Sequence, residues 1–137
     1  MSREILFKAK RKNWRELPKK EQWVEGNLIT DEVDADVAYI GYVLGSENGV
    51  IHDIDVAQIA PETLCQYTGL TDKNGKRIWE NDIANIRNSV LAGYGLICYE
   101  NGCLVIKDRR RKRTYDMFGE WKIRVDGNIF DNPELLE

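Results

Sequence analysis

In several short segments of the chain, apolar and polar positions alternate with a period of two, the rhythm of half-buried β-strands. Glu4 to Ala9 sets Ile5, Phe7 and Ala9 against Glu4, Leu6 and Lys8. Trp23 to Ile29 reads as a second strand, broken near Gly26. Between them, the basic stretch from Lys10 to Lys20 holds only Trp14, Leu17 and Pro18 as apolar landmarks, too few for a helix, and reads as a loop or one irregular turn. The run Val37 to Leu44 is apolar on both alternating sets, which predicts a strand buried on both faces. Gly45 to Gly49 then predicts a turn, and Val50 to Ile59 the returning strand.

Pro61 opens a connection into Tyr67, and Asp72-Lys73-Asn74-Gly75 has the residues of a turn, since Asn and Gly accept positive φ. Ile78 to Ile86 reads as a strand bent or bulged by Glu80-Asn81-Asp82. After small residues around Ala92 and Gly93, Tyr94 to Ile106 predicts a hairpin about Asn101-Gly102, a pair suited to a two-residue type I′ turn. That register puts Cys98 opposite Val105 and diagonal to Cys103, at about 7–8 Å by backbone, too far for an unstrained disulfide. Trp121, Ile123, Val125 and Ile129 line one face of a last strand, with Lys122, Arg124, Asp126 and Asn128 on the other. Asn132-Pro133-Glu134 resembles a capped first turn, so the chain closes on at most a short helix. The pattern predicts a mainly β protein, a small barrel or sandwich.

The 137 residues, 42% hydrophobic with four Trp and six Tyr, suffice for one domain with its own core. A net charge of −3 argues against a protein that coats DNA, so any nucleic-acid role is local to one segment. Three cysteines give neither a disulfide framework nor a paired CxxC motif. No long apolar run is present, which leads to the expectation of no membrane contact and a place in the cytoplasm.

Candidate chemistry is sparse. His52, the single histidine, has Asp53 and Asp55 nearby, but neighbours in a strand point to opposite faces and cannot easily share one ion. Ser2, Ser46 and Ser89 lie in no nucleophile elbow, and Gly41 and Gly45 lack the lysine of a phosphate loop. The expectation is therefore no catalytic residue, no metal, no cofactor and no enzyme, with a metal-assisted hydrolase around His52 as the least favoured reading. The sharpest charge feature is Lys107, Arg109, Arg110, Arg111, Lys112 and Arg113, close to Tyr115 and Phe118. Cations with aromatics are how surfaces for single-stranded nucleic acid are often built. The competing reading is a solvated loop, or a segment that pairs with the acidic Asp31, Glu32, Asp34 and Asp36 of the same or a neighbouring subunit.

One long pattern is more specific than any of these. Gln66-Tyr67-Thr68-Gly69-Leu70-Thr71-Asp72-Lys73-Asn74-Gly75 runs into Trp79-Glu80-Asn81-Asp82-Ile83, and the chain ends on Gly127-Asn128-Ile129-Phe130-Asp131-Asn132-Pro133-Glu134-Leu135-Leu136. Both segments resemble the YopX family of phage and prophage proteins. Asn81 stands where that family usually has Gly, a mild change because Asn tolerates the left-handed conformation. Near the N-terminus only Phe7-Lys8-Ala9 follows the pattern, so the resemblance is strongest from about Leu64 onward. It implies a mainly β fold of one or more small SH3-like β-barrels with extra N-terminal strands. The unit is a single YopX-like domain over 1–137, with room for two β subregions, about 1–60 and about 61–137. It implies no established activity. Tyr67, Gly69, Asp72, Gly75, Trp79, Asp82, Gly127, Asn128 and Pro133 read as architecture. The expected function is that of a non-enzymatic accessory protein acting through a protein partner or as a homo-oligomer, with nucleic-acid binding through Lys107, Arg109 to Arg113 and Tyr115 as the alternative.

Overall fold

The computed structural model describes residues 4–87, 92–117 and 122–137. The chain forms two compact units, Met1–Gln66 and Tyr67–Glu137, and each is built of antiparallel strands joined by tight turns.

The first unit contains β1 (Phe7–Lys10), β2 (Trp23–Thr30), β3 (Ala38–Glu47), β4 (Val50–Gln58) and the start of β5 (Cys65–Thr71). Their order in the sheet is β4-β3-β2-β1-β5. Ala9, Val24, Ala38, Ile40, Ala57 and Ile59 make its core. The basic stretch after β1 forms two single 3₁₀ turns, Trp14–Glu16 and Lys19–Glu21. Lys10 is buried there: its ammonium lies 3.8 Å from the centre of the Trp14 ring and donates to Gln22 Oε1 at 3.2 Å. A buried lysine needs such an environment, because desolvation of its charge is costly unless rings and an amide oxygen replace water.

Three expectations for this unit are corrected. Gly26 does not break β2, which runs unbroken from Trp23 to Thr30. A side chain at Gly26 would place its Cβ 2.3 Å from the Gly41 carbonyl oxygen, so glycine there permits close strand approach. The run Val37–Leu44 is not buried on both faces: Val43 and Leu44 are exposed. Finally, Gly45, Ser46 and Glu47 continue β3, and the chain reverses at Asn48-Gly49, both at positive φ.

The second unit holds the rest of β5, then β6 (Arg77–Trp79), β7 (Asp82–Arg87), β8 (Ala92–Glu100), β9 (Cys103–Asp108), β10 (Arg113–Asp116) and β11 (Ile123–Asn128). A five-stranded sheet has the order β10-β9-β8-β7-β11. Ile78, Ala84, Ile86, Ile97, Ile106, Ile123 and Val125 form its core. The Asn101-Gly102 turn has φ of 55 and 78°, and Cys98 pairs with Val105 as the sequence predicts. Glu80-Asn81-Asp82 divides the expected strand into β6 and β7, with Asn81 at φ 71°. β10, which begins at the last residue of the basic run, was not anticipated, and a bulge between Val125 and Gly127 interrupts the alternation expected of the last strand. Trp121, like Ser2, Ser89 and Phe118, lies outside the described residues. The C-terminal turn is 3₁₀, Pro133–Leu136, and Asn132 does not cap it. Its amide oxygen instead accepts the Asn128 N–H at 3.3 Å.

The fold is mainly β. A closed SH3-like barrel is not seen: the second sheet has two ends, β10 and β11, and β4 ends the first.

Candidate functional site

The basic run lies where β9 turns into β10, and backbone geometry sorts its six cations. Asp108 is buried and accepts the Arg110 and Arg111 amides, each at 3.2 Å, and the Arg111 guanidinium at 3.0 Å. Burial pushes its carboxyl up, but the Arg111 guanidinium and those N–H groups outweigh it and leave it below the ordinary carboxylate range. Lys107 pairs with Glu100 at 3.1 Å, and the Arg110 guanidinium donates to the Glu137 carbonyl oxygen. Arg109, Lys112 and Arg113 are left exposed, with no ion pair among the described residues, and share a cleft with Lys107 and Thr114. Tyr115 is not with them: it is half-buried against the second core. The acidic loop closes on itself, Asp31 Oδ1 accepting the Val33 and Asp34 amides and Asp34 Oδ1 that of Asp36.

A second cationic group escaped the sequence reading. Lys73, Arg87, Lys122 and Arg124 line one cleft with Asn85. They are far apart in sequence, but the register Arg124↔Asn85 and Asn85↔Tyr94 sets them in rows across β11, β7 and β8, on the face turned away from Ala84, Ile86, Ile123 and Val125. Lys73 reaches the group because its amide donates to the Ile123 carbonyl at 3.1 Å. Arg124 is held by Asp126 through bonds of 2.7 and 3.0 Å, and Tyr94 Oη donates to the same carboxylate at 3.1 Å. The available signal was the polar half of two alternating strands, which by itself reads as an ordinary wet face.

The first unit presents the opposite chemistry. Ile29 of β2, Val43 of β3, and Ile51, Ile54 and Val56 of β4 line an open groove with Gly41. Ile29, Val43, Ile54 and Val56 are 44, 48, 57 and 45% exposed. Cross-strand pairs Gly41↔Val56 and Val43↔Ile54 put them on one side of the sheet, while Tyr42↔Asp55 faces the other, where Tyr42 Oη donates to Asp55 at 2.8 Å. Polarity is thus inverted relative to the usual half-buried strand. No Lys or Arg occurs between Lys20 and Lys73. His52 lies at the far end of this hairpin, 3.5 Å from Glu47, and among the described residues no group of three or more His, Cys, Asp or Glu could hold a metal ion.

Several of the motif residues lie in turns or packed contacts. Tyr67 and Trp79 are cross-strand partners with ring centres 5.5 Å apart. Gly69 and Gly75 have φ of 86 and 82°. Asp82 accepts the Trp79 amide at 2.8 Å, and Asn128 Oδ1 those of Phe130 and Asp131 at 3.0 and 2.9 Å. A Cβ on Gly127 would sit 2.4 Å from the Asn132 amide oxygen.

Fold and surface define a two-unit antiparallel β protein whose distinguishing features are an apolar sheet face and a cationic one. The YopX protein family model matches residues 12–137, and the chain belongs to that family. The match extends well before Leu64, where the motifs thin out. The fold is similar to the crystal structure of protein EF1440 from Enterococcus faecalis, with a TM-score of 0.52 and 22% identity over 99% of this chain and all of that one. No curated protein matched the sequence.

Proposed function

We propose that this protein is a non-catalytic, phage- or prophage-encoded accessory protein of the bacterial cytoplasm that works as a homo-oligomer, two copies packing through the apolar outer face of β2, β3 and β4. The supporting observation is the inverted polarity of the β3–β4 hairpin, which points Val43, Ile54 and Val56 into water and Asp55 to the other face. Contiguous exposed apolar side chains of this kind mark interaction surfaces.

A second copy fits this face better than a charged partner does. The central row Ile29, Gly41, Val43, Ile54 and Val56 carries no charge, so a two-fold axis through it brings no like charges together. Sheets packed face to face sit about 10 Å apart, a spacing aliphatic side chains fill.

Light scattering on the purified chain tests this. The expected result is a dimer, or a multiple of one, that persists when salt is raised, and a monomer for Ile54→Lys and Val43→Lys with unchanged melting temperature. A wild-type monomer, or an oligomer indifferent to both substitutions, overturns the proposal. So does an oligomer that salt dissolves, which would point to the acidic loop meeting the basic turn instead.

A further inference from the structure

We propose that the cationic face of the second sheet binds the sugar-phosphate backbone of single-stranded nucleic acid, through Lys73, Arg87 and Lys122 together with Arg109 and Lys112. The basic turn alone is a weaker basis, because three of its six cations are already engaged by Glu100, Asp108 and the Glu137 carbonyl. The register supplies what the turn lacks. Leu96 pairs with Lys107, so Tyr94 and Arg109 fall at the same level, in line with Asn85 and Arg124. Arg87 and Lys122 lie one step further along the same face, at the same end of the sheet.

The result is a band crossing β11, β7, β8 and the end of β9. With strands about 4.8 Å apart it is about 14 Å wide. Successive phosphates of an extended single strand are about 6 Å apart, so a strand laid along the band meets about three of them. The five cations named are exposed and make no ion pair among the described residues. The side chains set among them, Asn85, Tyr94 and Thr114, all carry hydrogen-bonding groups of the kind that contact phosphate and sugar. The cleft beside Tyr94 and Arg109 also holds Ala92, Leu135 and Leu136, so a membrane surface, which needs apolar side chains interleaved with charges, is the competing ligand. No base-reading geometry is present, so binding is independent of sequence.

Fluorescence anisotropy with a labelled oligothymidylate tests the band. Three phosphates predict a log–log salt slope of about −2, or about 16-fold weaker binding at about 200 mM than at about 50 mM salt. Arg87→Glu with Lys122→Glu, and separately Arg109→Ala with Lys112→Ala, are each expected to lower affinity at least tenfold and flatten the slope without shifting the melting temperature. Loss only in the turn variant overturns the band, as does binding to phosphatidylserine vesicles without binding to the oligonucleotide, or binding to neither. Ile54→Lys, which carries no part of this surface, is expected to leave the salt slope per chain unchanged, so the two proposals fail separately.

Discussion

The Asp72 carboxylate accepts the Val125 amide at 3.0 Å, joining positions 53 residues apart. The same side chain accepts the Asn74 and Lys76 amides, each at 2.9 Å. One acid therefore closes its own turn and fastens that turn to β11, two residues before the second family motif begins.

Asp72→Asn is nearly isosteric but turns a donor toward at least one of those N–H groups. Leaving a buried donor unsatisfied beside a lost charged acceptor costs about 2–3 kcal/mol. Urea unfolding should show a loss of that size, and Lys76→Ala, whose amide survives the change, should show far less.

Acid sensitivity follows from the same site. Burial pushes Asp72 up, yet the amides of Val125, Lys76 and Asn74 outweigh it and hold the carboxyl below its ordinary value of 3.8. Asp108 is also lowered, and Asp126 by Arg124. A depressed folded-state value means stability that is complete above the unfolded value and lost as pH falls through the folded one. Melting temperature should therefore be flat from neutral pH down to about 5, then drop steeply as pH passes below 3.8. In Asp72→Asn the drop should be shallower. An equal slope in both proteins would mean that Asp72 does not carry this dependence.

Gly127→Ala presses a methyl into the Asn132 side chain, whose Oδ1, Cγ and Cβ would lie 2.4, 2.7 and 2.9 Å away. Asn132 must move and give up the Asn128 amide, at a cost of about 1–3 kcal/mol. Removing the obstacle as well, in Gly127→Ala with Asn132→Gly, should recover part of that loss in a double-mutant cycle. Strict additivity would show that the clash is not the cause.

Local chemistry was legible in the sequence wherever one residue type has one conformational use. Asn101-Gly102 announced its hairpin, and Asn81 its positive φ. What stayed hidden depended on neighbours brought from elsewhere in the chain. Gly26 reads as a strand breaker until the Gly41 carbonyl is seen against it. Val43 and Leu44 read as core because hydrophobicity records what a side chain prefers and not which side of a sheet it meets. Arg87 and Lys122 each look like a solvated position, and only the β7–β11 register makes them neighbours. Lys107 to Arg113 stood out as a run, yet Lys107, Arg110 and Arg111 are engaged by Glu100, Glu137 and Asp108.

The three thiols offer a further test of the hairpin. None is in a disulfide, and Cys65 is buried, Cys98 half-buried and Cys103 exposed. Burial pushes the Cys98 thiol up, which lowers its thiolate fraction near neutral pH and slows its attack on a disulfide reagent. Titration with an aromatic disulfide at mildly alkaline pH should therefore show one fast thiol, absent in Cys103→Ser, a slower one absent in Cys98→Ser, and a third released only by denaturant. Because Cys98 pairs with Val105 and Cys103 with Glu100, oxidation of the native protein should not join them. A rapid intramolecular disulfide between the two would contradict the register of β8 on β9.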